Sequence, residues 1–118
     1  VFVMSHQAHF IDTVETMPEY EPVARSKRAG EDALRARIDE LDEKGVEFVV
    51  VSGDMIEGTI TATLLERARP GALQSRREST GRLYSVPEFA AEVARAAVEP
   101  VPADHTRYIG DVSGFLAS

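Results

Sequence analysis

The sequence has 118 residues, which is enough for one small domain but not for two. Its content of 43% hydrophobic and 28% charged residues is typical of a globular protein rather than a disordered one. The net charge of −7 argues against nucleic acids and anionic membranes as partners, because their phosphates repel an acidic surface. The chain contains no cysteine, which excludes disulfides, thiol catalysis and cysteine-rich zinc sites.

No apolar run approaches the ~20 residues that a membrane-spanning helix needs, and no secretory signal pattern opens the chain. We therefore expect a cytoplasmic protein that does not contact a membrane. Residues 1–4, VFVM, form an apolar run that predicts a buried strand. Because chain termini usually lie at the surface, we also expect a preceding segment in the whole protein.

A long helix is predicted over residues 22–44, because Pro22 suits a first helical turn and Gly45 can end the helix. Positions at steps of three or four define its inward face, namely Val23, Lys27, Gly30, Leu34, Ile38 and Leu41. Opposite charges at a spacing of four, such as Glu31 with Arg35, mark the other side of the helix as solvated.

Residues 46–51, VEFVVV, are nearly all apolar and mostly β-branched, which predicts a strand that is buried on both faces of a parallel sheet. Residues 107–109 predict a third short strand. The order strand, helix, strand favours parallel pairing through a crossover. Three parallel strands leave bare edges, so we expect a companion segment or a partner chain to complete the sheet.

Two further helices and a loop are predicted between the second and third strands. The first helix runs from Thr59 to Ala68, and a polar loop over residues 71–83 is predicted to be mobile. Ser85 and Glu88 form a capping-box pattern that begins the second helix. The residues predicted to be buried on this second helix are Val86, Phe89, Ala90, Val93 and Ala97.

Short motifs follow one another along the chain: Ser26-Lys27-Arg28-Ala29 in a helix, Lys44-Gly45-Val46 before a strand, then Ser52-Gly53 and Thr59 after it. In this order they resemble the carboxyl-terminal half of the short-chain dehydrogenase/reductase family, over nearly all of residues 1–110. The family shows Tyr-x-x-x-Lys in a run like SKAA, Gly-Ile or Gly-Val before the next strand, and a Pro-Gly-x-x-x-Thr-like loop. The resemblance implies an α/β fold, a partial Rossmann-like (doubly wound) parallel sheet with flanking helices, of which residues 1–118 are the carboxyl-terminal portion.

The resemblance also implies an oxidoreductase that moves hydride between NAD or NADP and a carbonyl or alcohol. In the family, the lysine binds the nicotinamide ribose and lowers the tyrosine pKa, the tyrosine is the general acid or base, and the serine orients the reacting oxygen. Lys27 matches the lysine, and Ser5 matches the serine, although His6 is equally close to that position. The tyrosine does not match, because Val23 stands four residues before Lys27. Tyr20, two turns before Lys27, is the candidate to replace it.

The loop after the second strand resembles the family segment that runs along the nicotinamide. Gly53 would let the backbone approach a ligand, Met55 or Ile56 could cover a ring face, and Thr59 could bond a carboxamide or a phosphate. A plain strand-to-helix loop with Thr59 as the helix N-cap stays open as well. The predicted cofactor-binding residues are Lys27, Ser52, Gly53, Met55, Ile56 and Thr59.

Two other functions stay open beside the oxidoreductase. A catalytically degenerate relative would keep the fold but lack the acid, which Val23 favours. A structural or interaction protein would use the helix over residues 22–44 as a dimer face, and the resemblance implies a homo-oligomer through this helix. Lys27 could also simply extend from the apolar face to the helix edge and reach solvent.

No metal site is predicted, because His6, His9 and Asp12 lack a reliable further ligand. The chain holds no glycine-rich turn of the kind that binds a pyrophosphate, so we expect it to be inactive alone. The predicted partners are a nicotinamide cofactor and a small carbonyl or alcohol substrate, with neither nucleic acid nor membrane.

Overall fold

The computed structural model describes residues 1–116 as a mixed α/β fold, with a small parallel sheet that is flanked by helices. Its strands are β1 (Phe2–Ser5), β2 (Val50–Gly53), β3 (Ile56–Glu57), β4 (Tyr84–Ser85) and β5 (Thr106–Ile109). Its helices are α1 (His6–His9), α2 (Glu21–Arg35), α3 (Ile38–Glu43), α4 (Ile60–Ala68), α5 (Ala72–Thr80), α6 (Val86–Val98) and α7 (Ser113–Leu116).

The main sheet has the order β1, β2, β5, and its strands pair in parallel, as the strand–helix–strand order predicts. The register places Ser5 beside Gly53 and Gly53 beside Ile109. The carboxyl ends of the three strands therefore lie at one edge of the sheet. A second, two-stranded parallel sheet pairs β3, which follows β2 in the chain, with β4.

Strand β2 lies at the centre of the sheet and is buried on both faces, which confirms the prediction from its β-branched sequence. It begins four residues later and ends two residues later than the predicted range 46–51. Its side chains alternate between two cores: Val50 packs with Met4 on the side of α2, whereas Val51 packs with Phe89 of α6. The two helices therefore cover opposite faces of the sheet.

The helix predicted over residues 22–44 is divided into α2 and α3, which are separated by residues 36–37. Its inward face also differs from the prediction, because Ala24 and Glu31 are buried whereas Val23 is exposed. The prediction that Glu31 faces solvent is wrong. A prediction from the spacing of apolar residues assumes that carboxylates are exposed to solvent. A carboxylate that has cationic and hydrogen-bonding partners can nevertheless be buried.

The buried carboxylate of Glu31 joins three elements of the fold. It accepts hydrogen bonds from Nδ1 of His9 at 2.8 Å and from Nε of Arg35 at 2.7 Å. Arg35 in turn donates to Oγ1 of Thr106 at 2.6 Å and to the carbonyl oxygen of Asp104 at 2.9 Å. Together these contacts fasten α1 and α2 to the start of β5.

The segment over residues 71–83, predicted to be a mobile loop, contains helix α5. The carboxylate of Glu66 accepts hydrogen bonds from the backbone N–H groups of Gly71 and Leu73, at 2.7 and 3.0 Å. It thereby caps the start of α5, whose own N-cap residue makes no side-chain hydrogen bond. Because this cap comes from the preceding helix, the composition of residues 71–83 does not reveal it. That polar composition therefore predicted a loop.

Helix α6 begins with the predicted capping box. Oγ of Ser85 accepts from the N–H of Glu88 at 3.3 Å, and the Glu88 carboxylate accepts from the N–H of Ser85 at 3.0 Å. Phe89 is buried as predicted and, with Ala96 two turns later, makes the contact with the sheet. This contact is narrower than predicted, so the other expected core residues are half-buried or exposed: Val93, Val86, Ala90 and Ala97.

We expect Gly53→Ala to lower the free energy of unfolding by about 2 kcal/mol, because overpacking a core carries a cost of this size. A Cβ at this position would lie 2.6 Å from Cζ of Phe89. The control is Gly30→Ala, whose Cβ would meet the movable Phe2 ring at 3.1 Å in a helix that favours alanine. Urea unfolding measures both variants, and equal stabilities would contradict this packing role of Gly53.

Candidate functional site

A pocket of about 170 Å³ opens at the carboxyl ends of β1 and β2, and we call it the strand-end pocket. Ligands bind at this edge of open parallel sheets, because the loops that follow the strands form a crevice there. Its walls are largely apolar and include Met4, Met55, Ile56, Leu65 and Phe89. An apolar pocket with few polar groups suits a small organic ligand.

The main polar feature of the strand-end pocket is a pair of hydroxyl groups. Oγ of Ser5 and the hydroxyl of Tyr20 lie 2.9 Å apart, and both residues line the pocket. The segment before α2 turns back toward β1, since the carbonyl of Met17 accepts from the N–H groups of Tyr20 and Glu21. The ring of Tyr20 is buried in the core beside Met4, which fixes the position of its hydroxyl.

Most of the residues proposed from the sequence come together here. The strand-end pocket is lined by Ser5, Tyr20, Gly53, Met55, Ile56 and Thr59. Thr59 acts as the N-cap of α4, because its Oγ1 accepts from the N–H of Ala62 at 3.1 Å and donates to the carbonyl of Ile56 at 2.9 Å. Its hydroxyl is thus already engaged on both sides.

Lys27 does not reach the strand-end pocket, which corrects the prediction that its ammonium group faces the crevice. Its Nζ lies over the ring of Phe2, 4.6 Å from the ring centroid. Helix α2 starts beside Ser5, at the end of β1, and runs back toward the beginning of this strand. Lys27 follows Tyr20 by seven residues, which corresponds to about 10 Å along the helix axis. It therefore lies near the beginning of β1, at the end of the sheet opposite to the strand-end pocket.

Ser52 and Gly53 also differ from their predicted roles. Ser52 is fully buried, and its Oγ lies 2.7 Å from Nδ1 of His6, so it faces the interior rather than a ligand. Gly53 lines the pocket, but the space that its missing side chain leaves is filled by the Phe89 ring. The absence of a side chain at Gly53 therefore allows α6 to pack closely onto β2.

His6 lines the strand-end pocket and is almost fully buried. Burial lowers its pKa from 6.5 to about 4, because an imidazolium ion loses its hydration there. Asp54 and the backbone of Ile109 act in the opposite direction, and the positive charges of Arg76 and His9 favour the neutral form. Among residues 1–116, Nε2 of His6 has no hydrogen-bond partner. His6 is thus a neutral imidazole at physiological pH.

Ion pairs hold α5 against the loops that form the strand-end pocket. Nε of Arg76 lies 2.8 and 3.0 Å from the two carboxylate oxygens of Asp54, which lines the pocket. Arg77 pairs with Glu57 of β3. The sequence analysis did not propose Asp54 as a site residue. The signal that could have indicated it is its position directly after Ser52-Gly53 and before an arginine-rich segment.

Comparisons of the chain with protein-family models, with curated proteins and with solved structures find no match. The dehydrogenase resemblance thus remains a prediction. Within residues 1–116, no three histidine or acidic side chains are grouped so that they could hold a metal ion. In the same range, no helix combines the length and the apolar character that crossing a bilayer requires.

We expect the free energy of unfolding to fall as the pH is lowered from about 7 to about 4.5. Unfolded His6 takes up a proton near pH 6.5, whereas folded His6 does so only at about 4. Its contribution is complete above pH 6.5 and is lost as the pH approaches 4, by about 3 kcal/mol in all. Urea unfolding across this range should show a flatter profile for His6→Asn, which keeps a polar atom near Ser52 but does not titrate. An unchanged slope in the variant would exclude His6 as the cause.

Proposed function

We propose that the strand-end pocket is the substrate site of an oxidoreductase related to the short-chain dehydrogenase/reductase family, acting on a small carbonyl compound or alcohol. The observation that carries the proposal is the Ser5–Tyr20 hydroxyl pair, 2.9 Å apart, in an apolar pocket at the carboxyl ends of parallel strands. The resemblance in motif order supports the same function independently of the coordinates.

The two hydroxyl groups can bind one carbonyl oxygen. Oγ of Ser5 accepts a hydrogen bond from the N–H of Ala8 at 3.1 Å, and one of the two hydroxyl hydrogens forms the bond between Ser5 and Tyr20. A substrate oxygen would replace that mutual bond, so that Ser5 donates to it. The hydroxyl of Tyr20 supplies a second donor beside it. During reduction, negative charge develops on the substrate oxygen, so both donors bind it more strongly as the reaction proceeds. Tyr20 is then placed to transfer its proton to the forming alcohol.

The residues present fit a nicotinamide cofactor only in part. Met55 and Ile56 offer apolar contact to a flat ring, and the cofactor would supply the hydride when bound. Lys27, which would hold the ribose by resemblance, lies over Phe2 instead. We therefore assign to this chain the binding and protonation of the substrate oxygen, and we assign no residue to the ribose.

The position of Lys27 favours a second candidate function, a catalytically degenerate relative that binds a small molecule without turning it over. In the family the lysine assists proton transfer from the tyrosine, and in this chain Lys27 lies over Phe2, away from Tyr20. Because a chain without a glycine-rich pyrophosphate turn is expected to be inactive alone, ketone binding is measured on this chain, and hydride transfer from NADH or NADPH to cyclohexanone on a protein that also carries such a turn. The two measurements together distinguish the two functions. Turnover that is lost in Tyr20→Phe supports the enzyme, and ketone binding without turnover supports the binding protein.

We expect cyclohexanone to bind in the strand-end pocket and to bind threefold to tenfold more weakly to Tyr20→Phe, the usual effect of one lost hydrogen bond. The chain has 3 methionines, of which Met4 and Met55 line the pocket and Met17 does not. Methyl NMR spectra should therefore show saturable shifts for the first two signals, with Met17 as the internal reference.

The matched control is Tyr84→Phe, which removes a hydroxyl outside the pocket and should leave the affinity unchanged. Methylcyclohexane, which has the same shape without the oxygen, should bind equally to wild type and Tyr20→Phe. The proposal fails if neither Met4 nor Met55 responds to the ketone, or if Tyr20→Phe binds it as tightly as wild type.

A further inference from the structure

A third polar side chain, the amide of Gln7, lines the strand-end pocket together with the Ser5–Tyr20 hydroxyl pair. Gln7 lies in α1, and Ser5 is the N-cap of this helix. Two positions along a helix separate the Cα atoms by about 5 Å. Gln7 is therefore close enough to contact a small molecule whose oxygen is bound by the hydroxyl pair.

The amide nitrogen of Gln7 is available to a ligand. The amide oxygen, Oε1, accepts a hydrogen bond from the Thr16 hydroxyl, so the two N–H donors of Nε2 are left for other partners. Within residues 1–116, Nε2 forms no hydrogen bond to another protein group. A substrate oxygen can therefore accept from Gln7 without displacing a bond that the protein already makes.

The other uncharged polar side chains of the lining are less suited to this contact. The Thr59 hydroxyl already donates and accepts within the protein. Nε2 of His6 is enclosed by the protein, so a ligand in the pocket does not reach it. Thr61 is exposed in the first turn of α4, where water can satisfy its hydroxyl. Gln7 is therefore the donor best placed to recognise a second group of a substrate.

The charges of the strand-end pocket favour a substrate that is uncharged. Among residues 1–116, no lysine or arginine lines the pocket. The carboxylate in its lining, that of Asp54, has an 8% exposed side chain, and both its oxygens are bonded by Nε of Arg76. An anionic group would lose its hydration here and meet a carboxylate, whereas a cationic group would meet a carboxylate that is already paired.

We propose that Gln7 is a specificity-determining residue of the strand-end pocket. The substrate is an uncharged ketone, or the corresponding alcohol, that carries a second acceptor oxygen a few bonds from the reacting one, as an ether or an amide does. Ser5 and Tyr20 bind the reacting oxygen, and Nε2 of Gln7 donates to the second. This inference rests on the proposed function, because the hydroxyl pair defines the reacting end of the substrate.

Two ketones of the same length test the contact with Gln7. They are 4-methoxybutan-2-one and hexan-2-one, which differ only in that an ether oxygen of the first replaces a CH₂ group of the second. Binding is measured from the methyl NMR shifts of Met4 and Met55, with Met17 as the internal reference. Gln7→Leu should weaken the methoxy ketone threefold to tenfold, the usual effect of one lost hydrogen bond, and should not weaken hexan-2-one.

Hexan-2-one also shows that the pocket of the variant is intact, although Gln7→Leu removes the bond to Thr16. A second variant, Gln7→Glu, keeps an oxygen for the Thr16 hydroxyl but has no N–H donor, so it should weaken the methoxy ketone at least as much. The matched control is Gln74→Leu, the same change at an exposed position outside the pocket lining. It should leave both affinities unchanged.

Levulinate tests the preference for an uncharged substrate. It is a ketone of similar length that ends in a carboxylate. At equal ionic strength it should bind at least tenfold more weakly than 4-methoxybutan-2-one, because the lining offers its charge no cation.

The role of Gln7 is overturned if Gln7→Leu changes the affinities for both ketones equally or changes neither. The preference for an uncharged substrate is overturned if levulinate binds as tightly as the methoxy ketone. Either failure leaves the proposed function standing as long as cyclohexanone binds and Tyr20→Phe weakens it. Loss of that dependence on Tyr20 would instead refute the proposed function itself, and with it the assignment of Gln7.

Discussion

The buried carboxylate of Glu31 is the constraint on which the arrangement of this fold depends. An ionised carboxylate in the interior is costly unless it is fully hydrogen-bonded, and here Arg35 and His9 supply the bonds from either side. This requirement fixes the rotation of α2 about its axis. Tyr20 precedes Glu31 by 11 residues, close to three helical turns, so the same rotation directs Tyr20 inward toward β1. One ion-pair network thus also orients a residue of the strand-end pocket.

The features that could be predicted from the sequence are those that depend on residues close together in the chain. The β-branched run before Ser52 indicated a strand buried on both faces, and Ser85 with Glu88 indicated the start of α6. Ser5 and Tyr20 were each proposed as catalytic residues, and their hydroxyls are in contact. The inward face of α2 was not predictable from the spacing of its apolar residues. This spacing assigns the inward positions to hydrophobic side chains, whereas the paired carboxylate of Glu31 occupies one of them. Helix α5 was not predicted either, because the residue that caps it, Glu66, belongs to another helix.

The separation of Tyr20 from Lys27 decides how much chemistry the strand-end pocket can perform. A spacing of four residues would bring both side chains to one ligand, whereas seven residues along a helix that leaves the pocket carries the lysine to Phe2. In the proposed function, the remaining hydroxyl pair would still bind a carbonyl oxygen, because hydrogen bonds are stronger in apolar surroundings. Recognition of the substrate oxygen is thus better supported by this geometry than rapid proton transfer to it.

The two histidines of the short helix α1 are both buried but have different partners. His6 faces a neutral partner, the Ser52 hydroxyl, and the loss of hydration that its charged form would suffer outweighs the opposing effects of Asp54 and the Ile109 backbone, so it stays neutral. His9 instead has the ionised carboxylate of Glu31 as the partner of its Nδ1, 2.8 Å away. Two imidazoles three residues apart therefore differ in function because their partners differ. His6 contacts a hydroxyl group in the interior, whereas His9 links α1 to the buried carboxylate of α2.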